Sequence, residues 1–288
     1  MNALASVAGP LLGRNLATAE AMDSAVKKPR LEPRPSRRLA KDCRFTERSR
    51  AGFAVWDVQP ARDEPTHAVL YLHGGAYTFA ISSVHWSLIA DVAAKTNALV
   101  CVPLYGLAPE HTHRDAYPLV EQAFDELAER FGADHVTIMG DSAGGGLAMG
   151  LAHALRDRGV TPQQVIAISP WLDLTLSHPD VAQAAARDPW LKRSGLLRAG
   201  ELWAGGDDPA HPRMSPLNGS LAGLPPITIY IGDRDIFLPD AREFGRRARL
   251  EGASVDVVVE PGALHVYPLL PVPEGRRARA AILQQLTA

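Results

Sequence analysis

Two cysteines in 288 residues, Cys43 and Cys101, are too few for a disulfide framework and lack metal-ligand spacing, so the thiols are read as reduced. No apolar run approaches the ~20 residues of a membrane span. The stretch up to Met22 is apolar in places, but no basic segment precedes it, and Gly9-Pro10 and Gly13 interrupt it. It does not read as a secretory leader, and a cytoplasmic protein is expected. Neither sign of charge is in excess, with 30 Lys and Arg against 32 Asp and Glu. That balance removes the basic field that a nucleic acid or an anionic membrane would need. A P-loop, a G-x-G-x-x-G, an H-E-x-x-H and a C-x-x-C are all missing, so no metal or organic cofactor is expected. His111-Thr112-His113 could form half a metal site, but it has no partners and reads as a surface loop.

What is present is an ordinary globular composition, 46% hydrophobic and 22% charged, able to bury a sizeable core. Residues up to about Met22 read as an alanine-rich helical arm, and the basic, proline-rich Lys27 to Lys41 as a solvated linker. From Cys43 onward short β-rich runs alternate with helical windows. The strands expected are Arg44 to Ser49, Phe53 to Val58, Ala68 to Leu72, Ala98 to Val102, Val136 to Met139, Val165 to Ser169, Ile227 to Ile231 and Val255 to Val259. The last five read as apolar runs, the pattern of strands covered on both faces of a mostly parallel sheet. Helices are expected over Val84 to Thr96, Tyr117 to Phe131, Ala143 to Arg158, Asp240 to Leu250 and Gly275 to Leu286. Gly159 would close the third and Asp240 would cap the fourth. The alternation predicts a doubly wound α/β domain of eight strands. Leu174 to about Gly219 breaks the pattern with helical pieces and no strand, as an insertion over one edge would.

Ligand sites in open α/β sheets form beyond the carboxyl ends of strands, and three of these ends carry reactive residues. The first is Gly140-Asp141-Ser142-Ala143-Gly144, a G-x-S-x-G between strand and helix. A turn this tight strains the serine backbone and requires small neighbours, and it lifts the Ser142 hydroxyl above the sheet. A glycine-rich helix-packing turn would give the same spacing, so the motif does not stand alone. The second is Tyr71-Leu72-His73-Gly74-Gly75-Ala76-Tyr77, where the Gly74 and Gly75 N–H groups could join that of Ala143 as an oxyanion hole. His73 reads there as a loop-holding group. The third, Ile227 to Ala241, offers three carboxylates to orient a histidine. Asp240 has its role as a cap, Asp235 is favoured, and Asp233 is the alternative. His265 is the only histidine after Asp235, in the loop following the last strand, where the chain order Ser, acid, His requires the base.

Together these pieces resemble the hormone-sensitive-lipase-like branch of the α/β-hydrolase superfamily, the branch of many bacterial carboxylesterases. The resemblance spans roughly Val69 to Pro268 and rests on YLHGGAY, YGLAPEH, GDSAGGG, SPWLDLT, RMSPLNGSLAGLPP, GDRD and ALHVY in that order. It implies the α/β-hydrolase fold with a helical cap: residues 1–42 as an arm contributing to the cap, 43–173 and 220–288 as the core, and 174–219 as the cap insertion. It further implies Ser142 as nucleophile, His265 as base, Asp235 as orienting acid, and Gly74, Gly75 and Ala143 as oxyanion donors. The sequence departs from the family at Ala76, where a third glycine is common, and at Gly106, where arginine is common. The second departure removes a local ion pair.

The expected function is a serine carboxylesterase acting on small-to-medium acyl esters through an acyl-enzyme. A deacetylase or lactonase of a specialised metabolite would use the same groups. A silent ligand-binding receptor on this fold would be expected to have lost one of them. Tyr77, Trp86, Trp190 and Trp203 are the candidate substrate-binding aromatics. The partner expected is a small-molecule ester, with a homodimer possible through the edge of the last strand.

Overall fold

A strand covered on both faces needs an apolar side chain at almost every position, and Ala98–Pro103 is built that way, with all six residues buried. It belongs to a single eight-stranded sheet in a computed structural model that describes residues 13–30 and 34–287. The strands are β1 (Cys43–Arg50), β2 (Phe53–Pro60), β3 (His67–Leu72), β4 (Ala98–Pro103), β5 (Val136–Asp141), β6 (Gln164–Ile168), β7 (Ile227–Gly232) and β8 (Val255–Glu260). Their order is β1-β2-β4-β3-β5-β6-β7-β8. β2 runs antiparallel to β1 and β4, and every other pairing is parallel. This is the α/β-hydrolase fold.

Side chains alternate along each strand and so feed two cores. Val69 and Tyr71 of β3 face a cluster with Val100, Met139 and Trp86. Leu70 and Leu72 face the opposite cluster with Ile138, Leu151 and Phe124. The helices covering these faces are α1 (Ala19–Val26), α2 (Ser83–Thr96), α3 (His113–Phe131), α4 (Ala143–Asp157), α5 (Val181–Arg187), α6 (Arg193–Ala204), α7 (Leu238–Leu250) and α8 (Pro273–Gln285). α5 and α6 fall inside the strandless insertion. α1 packs on α6, pinned by an Asp23–Arg198 ion pair at 2.7 Å and by Ser194 Oγ donating to the Ala17 carbonyl at 3.1 Å.

Several expectations need correction. The helical arm runs past Met22 to Val26 and starts under a Thr18 cap, and its first twelve residues lie outside the described ones. α3 starts at His113, one turn before Tyr117, because Thr112 and Asp115 form a reciprocal capping box. His113 is therefore not in a surface loop: it is buried, with Nε2 2.8 Å from Asp207. α7 starts at Leu238 with Phe237 in the cap position, so Asp240 sits inside the first turn and caps nothing. The basic segment is not simply solvated. Arg30 pairs with Glu110 at 2.6 Å and donates to the Ala108 carbonyl at 2.5 Å, and Arg34 pairs with Glu47 at 3.0 Å. An ion pair thus stands at the loop where Gly106 leaves none, supplied from far along the chain. The apolar run of β8 is broken by Asp256, and Asp256 and Val258 are exposed among half-buried neighbours, because β8 is the edge strand.

Candidate active site

Between β5 and α4 the chain turns through a single residue. Ser142 holds φ 51° and ψ −120°, a region that costs a non-glycine residue about 1–3 kcal/mol. Its neighbours explain how the turn is tolerated. A β-carbon on Gly140 would lie 2.4 Å from the Gly144 carbonyl oxygen, and one on Gly144 would lie 2.1 Å from that of Leu72. Glycine lets helix and strands close around the serine. Backbone bonds then fix the bend: Ser142 N–H donates to Ile168 at 2.8 Å, and Trp171 N–H donates to the Ser142 carbonyl at 3.0 Å.

The hydroxyl so raised meets His265, whose Nε2 lies 2.9 Å from Ser142 Oγ. His265 Nδ1 lies 2.8 Å from Asp235 Oδ2, and the other Asp235 oxygen accepts the Phe237 N–H at 3.0 Å. Three residues from separate strand ends thus form one continuous line of hydrogen bonds, all of it buried. The alternative acid, Asp233, instead accepts the Gly262 N–H at 2.7 Å. Burial disfavours the imidazolium of His265. The Asp235 carboxylate beside it, helped by Asp188 and Asp141, outweighs that and holds the pKa above the ordinary histidine value. A hydroxyl bonded to an imidazole with this orientation and basicity suits nucleophilic attack with proton transfer.

The loop after β3 corrects the expected oxyanion donors. Gly74 N–H is already committed to Asp141 Oδ1 at 3.0 Å, so it is not available to a substrate oxygen. Among the described residues no acceptor takes the N–H of Gly75, Ala76 or Ala143. Gly75 and Ala76 border the cavity above Ser142, and Ala76 holds φ 51°. The unbonded N–H groups at this end of the sheet are thus those of Gly75 and Ala76, one residue on from the expected pair, together with Ala143. His73 stays outside this set: Nδ1 donates to the Gly74 carbonyl at 2.7 Å, its ring stacks on Tyr105, and burial drives its pKa down to about 4.

Asp141 was legible only as the variable position of the serine motif, yet it organises this loop. Tyr71 OH donates to Oδ1 at 2.7 Å alongside Gly74, and His85 Nε2 meets Oδ2 at 3.2 Å. His85 Nδ1 accepts the Ser82 N–H, so Nε2 carries the proton. Burial works against the charge on Asp141, but His85, Tyr71 and Gly74 together hold its pKa below the usual carboxylate range.

A cavity of about 250 Å³ opens over Ser142 and His265, walled by Leu16, Phe79, Trp190, Leu191, Leu196 and Val266. Of the four candidate aromatics only Trp190 borders it. Tyr77 is stacked flat on Trp203, with centroids 4.2 Å apart, and both belong to the core beside Trp171. Trp86 packs edge-on to Trp56 and Phe45 on the opposite face of the sheet. Leu16 and Phe79, which carry no motif, were not foreseen in the wall. No group of acidic, histidine or cysteine side chains among the described residues could hold a metal.

Residues 69–269 match a family described by its alpha/beta hydrolase fold. The chain is similar to an acetyl-hydrolase of Streptomyces hygroscopicus, 36% identical over 78% of this chain and 76% of that protein. It is also similar to an esterase of Acinetobacter venetianus, 30% identical over 79% and 77%. Among solved structures it is similar to an esterase of the bacterial hormone-sensitive lipase family, with TM-score 0.81 and 26% identity over 96% of this chain and 95% of that one. The esterase EstE5, soaked with p-nitrophenyl butyrate, gives TM-score 0.80 and 28% identity over 93% and 90%.

Proposed function

Because the chain belongs to the α/β-hydrolase fold family and is similar to esterases and an acetyl-hydrolase, we propose that it is a serine carboxylesterase acting on small-to-medium acyl esters. The observation that carries this reading is the unbroken line Ser142 Oγ, His265, Asp235 at the floor of an apolar cavity.

In this reading His265 Nε2 takes the Ser142 proton as Oγ attacks the ester carbonyl. The developing oxyanion is met by the N–H groups of Gly75, Ala76 and Ala143, each such donor being worth about 3 kcal/mol in a transition state. The imidazolium then gives its proton to the leaving alcohol, and an acyl-Ser142 remains. Water, deprotonated by His265, hydrolyses it and restores the serine. Asp235 holds Nδ1 protonated and offsets the charge on the ring throughout.

The cavity supports the substrate size assigned here. Its roughly 250 Å³ falls below the range of about 300–1,000 Å³ usual for drug-sized ligands. A short acyl chain suits this volume and its apolar wall better than a long one. A second reading, removal of an acetyl group from a larger alcohol, is favoured by the similarity to an acetyl-hydrolase. Steady-state rates on p-nitrophenyl esters from acetate to decanoate test the proposal. The reading expects kcat/KM to peak at short chains; a maximum at decanoate, or no hydrolysis of any member, would reject it.

A further inference from the structure

Asp188, in the insertion between α5 and α6, is buried, and its carboxylate touches two parts of the site at once. Oδ1 accepts the N–H groups of Trp190 and Leu191, at 2.8 and 2.9 Å, and both of those residues wall the cavity. Oδ2 accepts the N–H of Ile236 at 3.0 Å, the residue directly after Asp235. Both oxygens face only donors, so the geometry suits the ionised form. One side chain therefore fastens the wall over the substrate to the loop that carries the acid.

We propose that Asp188 is a positioning residue for ester hydrolysis: it couples the seat of the acyl wall to the orientation of Asp235, and through Asp235 to the basicity of His265. The proposal rests on the reading of Ser142, His265 and Asp235 given above. Its electrostatic part concerns the groups facing His265, which are Asp235, Asp188 and Asp141, with Ser142 Oγ on Nε2 and the edge of Phe237 against the ring. Around Asp188 stand Asp235 and His265, and Lys192 Nζ donates to its backbone carbonyl at 3.1 Å. Burial and the neighbouring Asp235 push the Asp188 carboxyl up, while His265 and the Leu191 and Trp190 amides pull the other way. Two carboxylates thus act on one imidazole, and removing either lowers its proton affinity.

Asp188→Asn separates the two contacts. The amide oxygen can still accept from Trp190 and Leu191, but the amide nitrogen meets the Ile236 N–H donor to donor. With p-nitrophenyl acetate the variant is expected to lose about tenfold in kcat, since small misplacements of a reacting group are costly. The acid limb of its kcat/KM profile is expected to move down by about half a pH unit. Trp190→Ala, which opens the wall without altering charge, is expected to raise KM and leave that limb in place. If Asp188→Asn does not fold by circular dichroism, Asp188→Glu carries the test: it keeps the charge but displaces the carboxylate, so the limb stays and kcat drops about tenfold. An Asp188→Asn variant with wild-type kcat and an unmoved limb overturns the proposal, as does an Asp188→Glu variant with wild-type kcat. Ser142→Ala, assayed in parallel, tells the two readings apart. If it remains fully active the assignment of Ser142 as nucleophile falls, and this proposal with it.

Discussion

Asp141 accepts the backbone N–H of Gly74 at 3.0 Å across a gap of 67 residues, joining the residue before the serine to the loop that would face a substrate oxygen. The same carboxylate holds Tyr71 and His85, so three elements meet on one buried charge. Asp141→Asn keeps an acceptor for Gly74 but sets its amide nitrogen against the proton on His85 Nε2. A fall in kcat of about tenfold or more with KM within threefold is expected, because the loss lies in holding the transition state. Steady-state kinetics on p-nitrophenyl acetate check it; unchanged kcat would mean the loop is held without Asp141.

The two aspartates after β7 are expected to behave differently. Asp235→Asn should lower kcat by roughly 10³- to 10⁴-fold through loss of the correct imidazole tautomer. Asp233→Asn still offers Gly262 an amide oxygen as acceptor and is expected to stay within about threefold. Kinetics of the pair decide the assignment, which fails if Asp233 is the damaging position.

The base has to be neutral to work, and His265 is held above its ordinary pKa by Asp235, Asp188 and Asp141 against the effect of burial. Activity should therefore be lost as pH falls, with the midpoint of the acid limb of kcat/KM above about 6.5. Asp235→Asn should move any residual limb downward. A wild-type limb well below 6 would contradict the electrostatics described for the site.

Asp240 is buried in the first turn of α7 with neither oxygen hydrogen-bonded among the described residues, and burial, with Asp173 nearby, pushes it up to about 8. The unfolded chain ionises this group from about pH 4 upward while the folded chain keeps it neutral. Its contribution to stability is therefore largest at acid pH, falls as pH rises from about 4 to 8, and levels off above that. Asp240→Asn removes this dependence. Relative to wild type, the variant is expected to gain about 3–4 kcal/mol in stability between pH 5 and pH 8. Urea denaturation at both pH values reads it, and a constant difference would rule out the buried carboxyl as the cause.

These particulars show where sequence reasoning reaches and where it stops. All eight strands were legible because the central ones must be apolar at nearly every position, as Ala98–Pro103 is. The meeting of Ser142 and His265 was legible because a constrained turn and a fixed chain order leave few alternatives. Asp188 carried no signal: it acts by accepting backbone amides from positions far away in sequence, and no motif encodes that. The engagement of Gly74 N–H by Asp141 was hidden for the same reason, since only the fold brings the two together. Trp86 and Trp203 show the limit of composition, because a large aromatic suits a core and a pocket wall equally well.

The central claim, that Ser142 is the nucleophile, is tested most directly by a chromogenic phosphonate ester followed by peptide mass spectrometry. The account expects one phosphonyl group per chain, carried on the peptide containing Ser142, with esterase activity lost in proportion to labelling. Labelling at another residue, or full activity retained by a completely modified Ser142, would contradict it.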